Sequence, residues 1–542
     1  MLTRRERRSA LAGGVFSLAG IAVFILAAVG ALLRLGGGPL SGSGFLNPET
    51  LSLLRFTLIQ ALLSTALSVG LAIPVARALA RQAKFPGRLW LVRLMAVPMG
   101  LPVLIGALGL IGIWGRKGVI NEAFAGFGVD QPFSIYGLFG ILLAHVFFNL
   151  PLAARLLLSG LERIPGEYWR MTASLGMRPW SIFRFVEWPV IRRLLPGIAG
   201  LIFMLCATSF TLVLVLGGGP AATTIEVAIY QALRFDFDPP RAVSLAVLQI
   251  VITGLILGAM ALFPAPEDTG AAMGRTGRRF DGETFLARMS DGIILLLSAL
   301  FVAMPLLSVV IAGLRADLIK LVTDQAFLKA AATSLSIALC AGLLAVGVCV
   351  SIVRAQMALG EVRGSRTMSG LFSALLSGAS SLVLLVPTVV LATGWFLVLW
   401  PLGGIGRFAP VVVVGINALM ALPYAMRILA PAFRSHRLRT GRLTASLGIT
   451  GLARLRLVEW PVLKRPLLMA LSFAMALSLG DLGAVALFGS ENLTTLPWLI
   501  YSRLGSYRSN DADGLALLLG AVCLGLTLAG TAGRLPAEKE QP

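Results

Sequence analysis

The stretch TASLGMRPWSIFRFVEWPV at residues 172–190 returns as TASLGITGLARLRLVEWPV at 444–462. Five identities open each copy and five close it, across the same nine-residue interval. Chance agreement between Leu-rich segments does not place two such blocks in one register, so the chain is a duplication. The agreement extends outward. In the same register Ser64 pairs with Ser336, Gly70 with Gly342, Pro151 with Pro423 and Arg155 with Arg427, and His145 stands opposite Asn417. After a one-residue shift, Thr223, Thr224 and Tyr230 match Thr494, Thr495 and Tyr501.

These polar, basic copies sit in an apolar chain. Of 542 residues, 57% are hydrophobic and 13% charged, with mean hydropathy +0.88, too little polar surface to cover a water-soluble fold of this size. Apolar runs of about 20 residues recur, each long enough as a helix to cross a bilayer core. The fold class expected is all-α, a polytopic membrane protein of about 12 transmembrane helices in two parallel homologous halves. The expected spans are 11–33, 56–76, 92–113, 137–159, 190–216, 242–263, 292–314, 330–352, 374–399, 409–430, 466–488 and 514–532. An even number of spans between the copies puts both on one side of the membrane.

The first span follows Arg4, Arg5, Arg7 and Arg8 but is too long for a signal-peptide core and ends in no small-residue cleavage site, so it is kept as an anchor. The net charge of +21 raises the possibility of nucleic-acid binding. The Lys and Arg residues are instead dispersed between spans, and most fall in segments that are cytoplasmic when the N-terminus is inside, as the positive-inside rule requires. Both termini and both repeated stretches are then cytoplasmic. Cys206, Cys340, Cys349 and Cys523 lie in apolar runs without CxxC spacing, which supports neither a disulfide framework nor a metal site. The halves are expected at 1–263 and 292–542, joined by a cytoplasmic linker over 264–291 that is rich in Gly, Asp, Glu and Arg, including Gly274, Arg275, Arg278 and Arg279, and reads as a flexible or surface-lying tether.

Locally, IPGEYWRMTASLG reads as a helix of two to three turns, with Pro165 near its start, Glu167 in its first turn and Gly176 as terminator. A helix this short needs something to pack against. Thr172, Ala173 and Gly176 give it a small-residue surface, and Leu175 can anchor the other side. Arg178-Pro179 turns the chain, and Trp188-Pro189 marks re-entry into the membrane. One such connector is unremarkable, but two equivalent ones suit a twofold cytoplasmic partner.

The stretch resembles the cytoplasmic coupling loop of type I ABC importer permeases, whose pattern runs Glu-Ala-Ala, three residues, Gly, nine residues, Ile, one residue, Leu-Pro. Mapped residue by residue, Arg170 and Arg442 stand where the family has glutamate, followed by Thr172 and Thr444; Gly176 and Gly448, and Pro189 and Pro461, keep their places. Over its whole length the chain is more specifically similar to the fused thiamine and thiamine pyrophosphate permeases of bacteria. YGLFGILLAHVFFNLPLAARLLL from Tyr136, FRFVEWPVIRR from Phe183, LIFMLC from Leu201 and LGGGPAATTIEVAIYQALRFDFDPPRA from Leu216 carry that resemblance.

The resemblance implies the type I ABC importer permease fold in a multi-pass inner-membrane protein. It also implies a periplasmic thiamine-binding protein, two copies of a cytoplasmic ABC ATPase, and ATP and Mg on that ATPase with no cofactor in this chain. No GxxxxGK[ST] occurs here, and the Gly217–Gly219 triplet lacks the Lys-Ser/Thr of a phosphate loop. The expected ATPase-coupling residues are Arg170, Thr172, Ala173, Gly176, Glu187 and Pro189, with Arg442, Thr444, Ala445, Gly448, Glu459 and Pro461. Arg178 and Arg454 are further candidates to meet acidic groups of the ATPase.

Three polar residues are pathway or mouth candidates. Asp481 is a carboxylate inside an expected span, Glu226 lies near the external mouth, and His145 in the fourth span is read first as an interhelical hydrogen-bonding residue. His436, in an expected cytoplasmic loop, cannot join His145 in a metal cluster. A fused ferric-iron permease and an ATP-independent secondary transporter are the alternatives, and a scaffold or receptor suits the Gly- and Pro-interrupted spans VPMGLPVLIGALG and LVPTVVLATG less well.

Overall fold

A computed structural model describes residues 3–36, 47–128, 133–262, 279–359, 385–403, 405–489, 493–506 and 508–531, with Phe372, Leu376, Gly378 and Val383 between them. Residues 264–278 of the expected linker, with Gly274, Arg275 and Arg278, lie outside the described residues, as does most of 374–384 in the ninth expected span.

Among the described residues eleven helices are long and apolar enough to cross a membrane, and a shorter apolar helix follows the ninth expected span's Pro387. The first half contains α1 (Arg4–Gly36), α2 (Pro48–Arg81), α3 (Val103–Trp114), α4 (Leu138–Leu161), the short α5 (Gly166–Ser174), α6 (Trp188–Ala207), α7 (Thr211–Leu216), α8 (Ile225–Arg234) and α9 (Pro239–Ala261). The second contains α10 (Phe285–Leu314), α11 (Gln325–Leu359), α12 (Thr388–Leu399), α13 (Ile405–Ser446), α14 (Trp460–Leu479), α15 (Gly483–Phe488), α16 (Leu496–Gly505) and α17 (Ser509–Thr531).

Local chemistry sets several ends. Asn47 accepts from Thr50 N at 2.7 Å ahead of Pro48 and Glu49, and Thr284 accepts from Ala287 N at 3.3 Å at the start of α10. Two expected spans, 190–216 and 466–488, are each broken in the same place. α6 ends at Ala207 and α7 starts at Thr211; α14 ends at Leu479 and α15 starts at Gly483. Conversely, α13 is one helix of 42 residues that runs through Pro410, Pro423 and Pro431, beyond the expected end near 430.

Two compact units emerge, and neither is a contiguous half. One gathers Met1–Gly42, Ile229–Ile250 and Asp317–Pro542; the other gathers Ser43–Ala228 and Val251–Ala316. Within the first, α1 packs on α11 and α12, so the opening helix of the first half belongs with the second half's spans. Within the second, α10, the opening helix of the second half, packs on α3 and α2.

Glycines in matching motifs make both contacts. Gly394 of VPTVVLATG faces the α1 backbone, where an added Cβ would lie 2.5 Å from the Ala28 carbonyl oxygen, and Gly109 of LPVLIGALG faces the Pro305 carbonyl of α10 just as closely. Close helix packing is thus the work these glycines do.

Candidate functional site

Both repeated stretches build the same turn. In the first copy the helix α5 ends at Ser174; Gly176 adopts φ +59 and Met177 N donates back to Thr172 O at 3.0 Å. In the second, Gly448 adopts φ +62 and Ile449 N donates to Thr444 O at 3.1 Å. Each is a left-handed helix end in which the third residue past the helix satisfies a carbonyl near its end, a conformation glycine adopts without the Cβ penalty. Each chain then runs through a short helix into a π turn, Phe183–Glu187 or Leu455–Glu459, where Trp188 N donates to Phe183 O and Trp460 N to Leu455 O. Pro189 and Pro461 explain the π turns. A proline has no N–H to give the carbonyl four residues back and its ring crowds that group, so the chain widens by one residue.

The expected helix over 166–174 is present, and its faces are sharply divided. Trp169 and Thr172 are buried, whereas Tyr168, Met171 and Leu175, spaced i, i+3, i+7 along one side, are exposed, Leu175 to 67%. Ala173 and Gly176 are exposed beside them, so the small residues share the outward side and Thr172 alone turns in. The second copy shows the same outward face in Leu443 and Leu447, the latter 62% exposed, with Thr444 buried. Its helix is not separate but the last turns of α13, because Arg437 and Leu438 stand where the first copy has Pro165 and Gly166. Exposed Arg170 reaches Glu167 at 3.5 Å, a solvated pair one turn apart. The side chains of Arg442 and Ala445 lie outside the described residues. Arg454 is not free to meet a partner. It is largely buried and donates to Glu459 at 3.1 Å.

Glu187 is the centre of the first copy's electrostatics. Fully buried, it accepts from Arg77 Nε at 2.6 Å and from Arg279 Nη2 at 2.5 Å. Arg279 also bonds Asp281 at 2.8 Å; Arg81 lies 3.5 Å from both Asp281 and Asp291, and Gln82 donates to Asp291 at 3.0 Å. Burial alone would raise the Asp281 carboxyl and lower the Arg279 guanidinium. Their hydrogen bonds and attraction to each other, with Arg81 and Arg77 behind Asp281 and Glu187 facing Arg279, reverse both shifts. Residues 279–284 are therefore folded against the first half and helix starts at Phe285, which shortens the expected surface tether at its C-terminal end. In the second copy Glu459 pairs with Arg354 at 2.7 Å and Arg454, keeps 15% exposure, and borders a cavity of about 520 Å³ lined also by Glu6, His436 and Arg437.

The three polar candidates are all buried or half-buried. His145 Nδ1 and Ser64 Oγ are 2.8 Å apart, joining α4 to α2, and at the matching position Asn417 donates to Ser478 Oγ at 2.9 Å. Glu226 is not on a surface loop. It begins α8 and is buried, with Oε1 unpartnered among the described residues, because Thr57 Oγ1 holds the neighbouring Ile225 N–H at 3.1 Å and draws the segment inward. Asp481 sits in the break after α14, where its carboxylate accepts from the Gly483 and Ala484 N–H groups at 3.2 Å.

Residues 68–264 match the family described as "Binding-protein-dependent transport system inner membrane component". The chain is 47% identical over 515 residues to the thiamine transport system permease protein of Brucella abortus (strain 2308), covering 94% of this chain and 93% of that protein. The corresponding protein of Escherichia coli (strain K12) is 46% identical over 86% of each chain, and that of Haemophilus influenzae is 37% identical over 94% of each. The chain belongs to the thiamine transport system permease family. This permease is accordingly a multi-pass inner-membrane transport subunit and not an enzyme, of a family that works with a binding protein and an ABC ATPase.

Sequence reasoning about this permease placed Glu187 in the repeated stretch but missed Arg77, Arg279 and Asp281 as its charged surroundings. Arg77 offered no signal beyond being a cation in an apolar helix. The sequence RFDGE at 279–283 did carry one, since alternating charges just ahead of a capping threonine suit a folded segment better than a solvated tether.

Proposed function

We propose that this chain moves thiamine, and its phosphate esters, from periplasm to cytoplasm, with both termini in the cytoplasm. A periplasmic thiamine-binding protein delivers the substrate. Two copies of a separate ABC ATPase hydrolyse ATP with Mg, one on each docking stretch, and this chain carries no cofactor of its own.

The observation that carries the reading is the pair of unpartnered apolar faces, Tyr168, Met171 and Leu175 in one copy and Leu443 and Leu447 in the other, each just before a left-handed glycine. A soluble groove on each ATPase copy covers each face. Gly176 and Gly448 set the exit from the docking helix, Pro189 and Pro461 set the π turn behind it, and Glu187 and Glu459 tie that turn to the spans. Thr172 and Thr444 pack the docking helix inward, and Ala173 shares its outward side; Arg170 adds positive charge towards acidic groups of the ATPase, and Ala445 and Arg442 take the same parts in the second copy by their place in the repeat. Binding each state of the ATPase pair with unequal affinity is what lets hydrolysis drive the permease between orientations.

On the substrate side Glu226 is the strongest candidate, because a buried carboxylate with an open oxygen complements the cationic ring of thiamine. Asp481 spends its oxygens on backbone N–H groups, which suits it to shaping the helices around the pathway; His145 engages Ser64 through Nδ1 and keeps Nε2 without a partner among the described residues, but brings no carboxylate to a cationic ring.

Leu175→Asp and Leu447→Asp test the reading. Burying one leucine contributes about 1.5–3 kcal/mol, so each change should lower ATPase retention on purification about ten-fold or more. Membrane abundance should hold and thiamine uptake should fall in step. Full retention of the ATPase by both variants, or thiamine uptake by the purified chain without ATP, would overturn it.

A further inference from the structure

One guanidinium joins the two ends of the first docking stretch. Arg279 lies 3.9 Å over the ring of Trp169, the inward-facing aromatic of α5, and bonds Glu187, the last residue of the π turn. On its far side Arg279 bonds Asp281, which Arg81 of α2 approaches at 3.5 Å, and Arg81 in turn approaches Asp291 of α10. Arg77 completes the frame, donating to Glu187 and to Pro179 O at 3.1 Å and stacking 4.8 Å over Phe183. Docking helix, π turn, α2 and α10 are thereby fastened at one point by a residue from the segment between the halves. Among the described residues the second copy is held differently: Glu459 pairs with Arg354 and Arg454, Glu6 of α1 accepts from Gly451 N at 2.8 Å, and the space beside them is a cavity.

We propose that Arg279 is a positioning residue for energy coupling. It makes α5 and the π turn one rigid piece, so that displacement of the docking helix by the ATPase is passed to α6. This rests on the function proposed above. The nine-residue α5 is flanked by the turn at Pro165 and the left-handed Gly176, and a helix that short holds its place only through what it packs on. Without the clamp it yields at those two points and the motion is spent locally. ATP is then hydrolysed with fewer thiamine molecules moved.

The test uses the full permease purified with its ATPase and reconstituted in liposomes with the binding protein and thiamine, comparing wild type with Arg279→Ala and Arg279→Lys. Retained ATPase, hydrolysis rate and thiamine moved per ATP are read separately. The alanine variant is expected to retain its ATPase and hydrolyse at near the wild-type rate while thiamine per ATP falls about five-fold or more, within the range that changes in a coupling network produce. Arg279→Lys keeps the charge towards Glu187 and Asp281 but loses the flat stack on Trp169, and should fall between. It also serves if the alanine variant fails to fold. An unchanged thiamine-per-ATP ratio in either variant, or a fall that only tracks loss of the ATPase, overturns the proposal. A wild-type complex that moves no thiamine with ATP would instead sink the proposed function.

Discussion

The two docking stretches share sequence, glycine geometry, π turn and outward leucines, yet they are mounted differently. The first is a separate helix after a proline turn, held from behind by a buried ionic cluster. The second is the end of the 42-residue α13, and its glutamate is partly wet beside a cavity of about 520 Å³. Identical motifs therefore do not imply identical stiffness. In the first copy the support is a buried cluster of charges brought in by other segments, and in the second it is helix continuity together with the more open contacts of Arg354 and Glu6.

The largest effect should separate the glutamates. Glu187→Gln removes the shared counter-charge of the buried Arg279 and the half-buried Arg77, and losing one partner of a buried ion pair costs about 3–5 kcal/mol. Membrane abundance and the detergent inactivation temperature of the purified permease should both fall clearly. Glu459→Gln disturbs one pair with the well-exposed Arg354 and one with the largely buried Arg454, with the glutamate itself partly open, and should lower both by clearly less. Equal losses in the two variants would erase the distinction.

A middle-sized effect should follow from giving the second copy the first copy's entry, Arg437→Pro with Leu438→Gly. An interior proline costs a helix about 3 kcal/mol locally, and among the described residues no buried ionic cluster like that around Glu187 stands behind the freed segment. Thiamine uptake by cells should drop several-fold at normal abundance, and unchanged uptake would show that continuity of α13 carries no load.

The smallest effect concerns pH. The Asp281 carboxyl is held below its ordinary value, so its contribution is complete above about pH 4 and is lost only as pH falls through the lower folded value. Arg279 is raised and stays charged throughout. Hydrogen exchange of the amides at 279–284 should thus show no loss of protection between about pH 5 and 9 once intrinsic rates are removed, with loss only in stronger acid. A step near neutrality would mean that some other group holds the segment.

What the sequence made legible was what local chemistry determines. The repeat, the membrane helices, the docking helix over 166–174 and its glycine terminator follow from apolar run length, capping and the φ a glycine allows. Of the prolines, Pro165 opens a turn as expected and Pro423 lies inside its expected span, but Pro431, just past the expected end near 430, also sits inside α13, where flanking helical residues carry the turn past it. The breaks at 208–210 and 480–482 escaped notice because their residues are only mildly unfavourable in a helix, and Asp481 read as a buried charge when it is occupied by the N–H groups of the next helix. The partners of Glu187 were invisible for a different reason. They come from residues 77 and 279, and no local pattern reports which distant side chains share a cavity.

The exchange of opening helices sets a timetable for synthesis. α1 is made well ahead of the surfaces that receive it, α11 and α12, which begin at Gln325 and Thr388. At roughly 5–20 residues per second the ribosome needs on the order of tens of seconds to supply them. Through that interval α1 has lipid as its neighbour, and a helix whose inner face carries Gly14 and Ala28 must avoid wrong partners while it waits. Crowding of nascent chains at the insertion site should therefore threaten this protein at α1, throughout the interval before residues 325 and 388 have been made.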